Sequence, residues 1–384
     1  MAAATALALL SPAAAAGART AEAGIRKEQR WVFDALNIER AWESTKGAGI
    51  TVALLDSRVR PSLKELKGRV IEGPDLSGFF YGDLESPVGE HGTQMASLIA
   101  GSGEDGALSG VAPEARILSI PVAVDLDGNM ILPGGGADAE LARAIRYAVN
   151  NGASVIVVPG GRYGAQRVAG DAVAYALARG VPVVAAVGDD GDTEASREQG
   201  TSYWRFPAGY SGVIGVGAVD REGKAASFTS DNMSVLVSAP GVDVPVAKAE
   251  GGYGRVTSTD AAAALVGGVV ALIRARYPAL RPELISQALT SSTRRRPAAG
   301  YDERLGFGVV DARAAMDRAA ELVGHRASMP VEDGHRFGDR PPMDAPPRPG
   351  PDPFRMWAYG TGVALGLAAF TGGVIVLMRR SERR

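Results

Sequence analysis

The chain has 384 residues, 46% of them hydrophobic, with 41 Lys and Arg against 43 Asp and Glu and a formal net charge of −2. That balance excludes a disordered chain and leaves no charge excess to draw it to nucleic acid. With no Cys, disulfides and thiol chemistry are impossible, and with only His91, His325 and His335 a zinc site of His and Cys is close to excluded. Residues 1–18 are apolar and Ala-rich, with Ala16 and Ala18 at A-x-A positions before Arg19, and predict a signal-peptide-like segment. The folded part then spans 19–325. Within it, the β-branched, non-alternating runs 50–56, 117–124, 154–160, 182–188 and 213–219 predict buried parallel strands. The apolar periodicity of 138–150, 171–178, 261–276 and 282–291 predicts helices, so the fold expected is a doubly wound α/β sheet with helices on both faces. Residues 326–355 are Pro-rich and predict an extended spacer. A transmembrane helix is expected over 356–378, where 357–378 carries no charge and, at about 1.5 Å per residue, can cross about 30 Å of hydrocarbon. The basic tail 379–384 is expected in the cytoplasm by the positive-inside rule, which puts the folded part outside and brings lipid to the helix.

In open α/β sheets chemistry gathers beyond the C-terminal ends of the strands. Asp56 ends the first predicted strand, where a carboxylate can orient a histidine, bind a metal or merely cap a turn, the last being favoured for the residue taken alone. His91, followed by Gly92 and Thr93, opens an apolar helical run and is the one His of the predicted α/β region.

In that order the two residues resemble the subtilisin-like serine proteases, the subtilases. ITVALLDSRV is similar to the family's catalytic-Asp strand, EHGTQMASLIAG to its catalytic-His helix and GVAPEARILSIPV to the segment that follows. FPAGYSGVIGVGAV and SFTSDNMSVLVSAPG resemble its later strands and loops. Within the family, WVFDALNIERAWESTKGAG, the Pro-rich stretch and the apolar C-terminal run resemble the mycosins, membrane-anchored subtilases associated with type VII secretion in actinobacteria. The resemblance implies a subtilisin-like sheet, a groove that takes an extended peptide or protein, and a place beside a type VII membrane complex.

The chain departs from the family where the chemistry is concentrated. The stretch matching the family's Gly-Thr-Ser-Met-Ala-Ala-Pro nucleophile motif is Ser258-Thr259-Asp260-Ala261-Ala262-Ala263-Ala264, which puts Asp260 at the nucleophile position. The oxyanion position, an Asn in the family, is Asp189, and an ionised carboxylate repels an oxyanion. Pro159-Gly160-Gly161 lies where the family's substrate-groove strand has a different sequence. In subtilisin, losing the nucleophile costs on the order of 10⁶ in turnover, and losing the oxyanion donor on the order of 10² to 10³. The expected protein is therefore a pseudoprotease that keeps Asp56 and His91, the alternative being a weak serine endopeptidase using Ser258 or another hydroxyl.

No cofactor is expected. Asp189-Asp190-Gly191-Asp192 reads as a calcium loop or as a solvated loop, the second favoured. Asp125-Leu126-Asp127-Gly128-Asn129 reads as a turn, Arg294-Arg295-Arg296 as a solvated helix end, and Gly251-Gly252-Tyr253-Gly254 as a loop near the substrate groove.

Overall fold

The computed structural model describes residues 12–77, 89–123, 137–324 and 353–381. The chain divides into two units, Met1–Ala327 and Ser328–Arg384. In chain order the first unit carries α1 (Pro12–Leu36), α2 (Ile38–Ala41), β1 (Thr51–Asp56), β2 (Val70–Glu72), α3 (Gly89–Ala100), β3 (Arg116–Pro121), α4 (Ala137–Asn150), β4 (Val155–Val158), β5 (Arg162–Tyr163) and α5 (Arg167–Ala178). It continues with β6 (Val183–Ala186), α6 (Glu194–Gln199), β7 (Arg205–Phe206), β8 (Ile214–Val219), β9 (Val237–Pro240), β10 (Val244–Ala247), β11 (Tyr253–Val256), α7 (Thr259–Arg276), α8 (Pro282–Ser291) and α9 (Ala312–Leu322).

Seven strands form one parallel sheet in the order β2-β3-β1-β4-β6-β8-β9, wound outward in both directions from β1. Alternate residues of each strand feed two separate cores, which explains why the runs do not alternate in polarity. Val52 and Leu54 of β1 and Val155 and Val157 of β4 pack on the face covered by α3 and α7. Ala53, Leu55, Ile156 and Val158 pack on the opposite face against α4 and α5. Helix α7 is buried continuously from Thr259 to Ile273, so it is apolar all round rather than striped.

The expected doubly wound sheet is present, with the predicted strands and helices in their expected places. Sequence periodicity missed β2, β5, β7, β9, the β10–β11 hairpin and helices α1, α2, α6 and α9, and started α5 at 171 rather than Arg167, because Gly170 breaks the apolar pattern of its first turn. Helix α1 runs through position 18, the boundary expected for the leader, while residues 1–11 lie outside the described residues. The expected spacer falls mostly on 325–352, also outside them, as does the 125–129 turn. The second unit contains α10 (Pro353–Ser381), whose segment Trp357–Ile375 is long and apolar enough to cross a membrane.

Candidate active site

Four carboxylate and imidazole side chains meet beyond the C-terminal ends of β1 and β6. Strand β1 ends on Asp56, a buried carboxylate whose Oδ1 accepts the N–H of Ser57 at 2.6 Å. Ser57 in turn fastens α3 to the strand end, its Oγ accepting the Gly92 N–H at 2.8 Å. The approach is too close for any side chain at 92, since a Cβ there would lie 2.1 Å from the Ser57 carbonyl oxygen. His91 is thereby held with Nδ1 2.9 Å from both oxygens of Asp56.

The other ring nitrogen meets a second carboxylate. His91 Nε2 lies 3.2 Å from Asp260 Oδ2, and both side chains are about nine-tenths buried. Asp260 stands in the first turn of α7, whose N-cap is Ser258: the Ser258 Oγ accepts the Ala261 N–H at 3.2 Å. Ser258, the alternative nucleophile, is thus engaged in capping. Asp189, in the loop after β6, accepts the Thr259 N–H at 2.8 Å, so both carboxylates sit at the positive end of α7.

Burial by itself disfavours the charged ring of His91. The charge of Asp56 and the hydrogen bonds to Asp260 and Asp56 outweigh it and hold the imidazole well above its usual value of 6.5. Asp260 is pushed upward by burial, against the pull of His91. Asp189 is raised to about 7 by burial and then by the charge of Asp260, with the Thr259 N–H working the other way. With a carboxylate at each ring nitrogen, the surroundings of His91 favour the doubly protonated imidazole. A ring in that state has no free lone pair with which to accept a proton.

Pro159, Gly160 and Gly161 follow β4, the strand between β1 and β6, and are placed on the same rim. Asp190 is committed to Arg205 at 2.6 Å, and among the described residues no group of three or more acidic or His side chains converges as a metal site. Gly251-Gly252-Tyr253-Gly254 forms the β10–β11 turn and start of β11, lining a cleft of about 1160 Å³ with Ile25 and Glu28 of α1. Arg294 is more than a solvated end, since its Nε pairs with Asp311 at 2.5 Å. Sequence reasoning passed over Arg205, although a lone cation inside the aromatic string Tyr203-Trp204-Arg205-Phe206 is a visible signal.

The subtilase family profile matches residues 47–308 of this chain, taking in Asp56, His91, Asp189 and Asp260. The chain belongs to the subtilase family. It is 33% identical to Mycosin-4 of Mycobacterium tuberculosis over 316 residues, covering 73% of this chain and 67% of that one. It is 30% identical to fervidolysin of Fervidobacterium pennivorans over 313 residues, 74% of this chain but only 43% of that longer one. Among solved structures, the MycP3 protease from the type VII (ESX-3) secretion system superposes with a TM-score of 0.62 at 31% identity, covering 74% of this chain and 87% of that one. This subtilase is mycosin-like in sequence and fold.

Proposed function

We propose that this mycosin-like subtilase has lost its peptidase chemistry and acts, anchored in the membrane with its main domain outside the cytoplasm, as a scaffold or peptide-binding component beside a type VII secretion channel. The observation that carries the reading is the Asp260 carboxylate 3.2 Å from His91 Nε2, where a serine peptidase needs a hydroxyl. An imidazole clamped between Asp56 and Asp260 holds a proton at both nitrogens and does not serve as a general base. Attack by a carboxylate on a peptide carbonyl would give a mixed anhydride, a poor route to amide hydrolysis. Once ionised, above about pH 7, Asp189 adds negative charge where an oxyanion would develop.

The groove itself does not depend on those groups, because an extended peptide can bind by strand addition through main-chain hydrogen bonds. Anchorage is supported by the apolar segment Trp357–Ile375, and its orientation by the arginines that follow it. Association with type VII secretion is supported by the system in which the MycP3 relative works.

Intact mass after treatment with a serine-directed fluorophosphonate tests the reading on the full-length chain. The wild type is expected to carry no adduct and Asp260→Ser/Asp189→Asn to carry one at position 260. A wild-type adduct mapped to Ser258 would establish a working serine endopeptidase and end the pseudoprotease reading.

A further inference from the structure

Adjacent strands β4 and β6 each run out into glycine on the rim where Asp189 stands: Gly161 lies beyond the first and Gly188 beyond the second. The room they leave is taken by one side chain. A Cβ on Gly188, whose φ of +99° already favours glycine, would lie 2.5 Å from Arg205 Cδ. A Cβ on Gly161 would lie 3.2 Å from Arg205 Cβ. The stem of Arg205 therefore fills the gap between the two chain ends.

Its head is held on every side. Arg205 Nε and Nη2 donate to Asp190 at 2.6 and 2.9 Å in a fork, Nη2 also reaches Tyr163 Oη at 3.2 Å, and Nη1 reaches the Gly161 carbonyl at 3.4 Å. The Tyr163 ring covers the guanidinium at 4.6 Å, its hydroxyl donating to Asp190 at 2.8 Å. The two-residue ladder of β5 and β7 sets Tyr163 opposite Arg205 and delivers both to the same spot. Only 11% of the Arg205 side chain remains exposed, whereas Tyr163 and Tyr203, packed edge to face, stay about half exposed on the rim.

We propose that Arg205 is a built-in plug for the gap between the ends of β4 and β6 and that this gap is where a side chain of a bound peptide would enter, so that this subtilase accepts a glycine and refuses a bulky side chain beside Asp189. The proposal rests on the peptide-binding reading above. The two glycines yield the space that the long side chain of Arg205 occupies. Stripped of Arg205, the pocket would have a carboxylate floor in Asp190 and an aromatic lid in Tyr163, the chemistry that receives a guanidinium.

Two arms test it on the full-length chain in detergent. In the first, Arg205→Ala is expected to lose thermal stability and to regain it, saturably, with methylguanidinium chloride. Sodium chloride is expected not to restore it, and neither the wild type nor Arg205→Ala/Asp190→Leu is expected to respond to methylguanidinium. A wild type that responds equally, or a folded Arg205→Ala that ignores methylguanidinium, overturns the plug. In the second, pentapeptides differing only by Gly or Phe at the centre are compared by calorimetry. The wild type is expected to bind the Gly peptide at least about tenfold more tightly, in line with what a steric pocket discriminates, and Arg205→Ala to lose the preference. Equal affinities in the wild type refute the proposal. If neither peptide binds, the peptide-binding reading falls, while the methylguanidinium arm still decides whether Arg205 fills a pocket. Should Arg205→Ala not fold, Arg205→Met keeps the bulk without the charge. It is expected to retain the Gly preference, and its loss overturns the plug.

Discussion

Replacing Asp189 with asparagine removes an ionisable group while leaving an oxygen to accept the Thr259 N–H now held at 2.8 Å. Burial and the neighbouring Asp260 raise Asp189 from 3.8 to about 7. Between those values the folded chain holds a proton that the unfolded chain has released, so stability falls as pH rises through the window. The gap is about three pH units, worth about 4 kcal/mol at roughly 1.4 kcal/mol per unit. Solvent reaching the partly exposed carboxylate trims this to about 2–4 kcal/mol. Asp189→Asn should therefore match the wild type near pH 4 and exceed it by that amount at pH 8. His91 acts with the same sign at higher pH: its contribution is present below about 6.5 and lost as pH rises through its raised folded value. That contribution is common to both proteins and cancels in the difference. Urea denaturation followed by near-ultraviolet circular dichroism at pH 4.5, 6 and 8 measures it. Parallel profiles, or a variant less stable than the wild type at pH 8, would refute the argument that the Asp189 carboxylate is ionised at a cost.

Asp260→Ala should lower the pKa of the His91 ring, because one of its two carboxylate partners is gone, and ¹⁵N chemical shifts of His91 against pH read this directly. An unchanged titration would mean that Asp260 does not hold the Nε2 proton. Ser258→Ala should cost about 1 kcal/mol, the worth of an N-cap, and leave fluorophosphonate labelling of Asp260→Ser/Asp189→Asn intact; loss of that labelling would assign Ser258 to the chemistry. Gly92→Ala should destabilise the fold by about 1–3 kcal/mol or more by driving β1 and α3 apart, and a neutral result in the same urea assay would contradict the 2.1 Å approach.

Much of this was legible in the sequence because each face of the sheet is covered. Full coverage forces unbroken apolar runs such as 50–56 and 154–160, and Asp56 stands out because it ends one of them. His91 was legible for a different reason: a glycine follows it, and the structure uses that glycine to bring α3 against Ser57. Strands β2 and β9 were not, being three and four residues long and placed by neighbours remote in sequence rather than by their own pattern. Nor was the Arg205 cluster, since the Gly161, Tyr163, Gly188 and Asp190 that surround it lie up to 44 residues away and come together only through the sheet and the β5–β7 ladder. The clamp on His91 stood between the two: the residue types were readable, whereas the commitment of both ring nitrogens needed distances.

The raised proton affinities of His91, Asp260 and Asp189 make the site a small reservoir that a charged ligand draws on or fills. A cationic group settling against Asp189 favours its ionised form and drives a proton into solution, so acidification loosens its grip. An anionic group, such as a chain-terminal carboxylate, does the reverse and carries a proton in with it. The heat of association would then vary with the ionisation enthalpy of the buffer, and the sign of that variation would report the charge of whatever the groove holds.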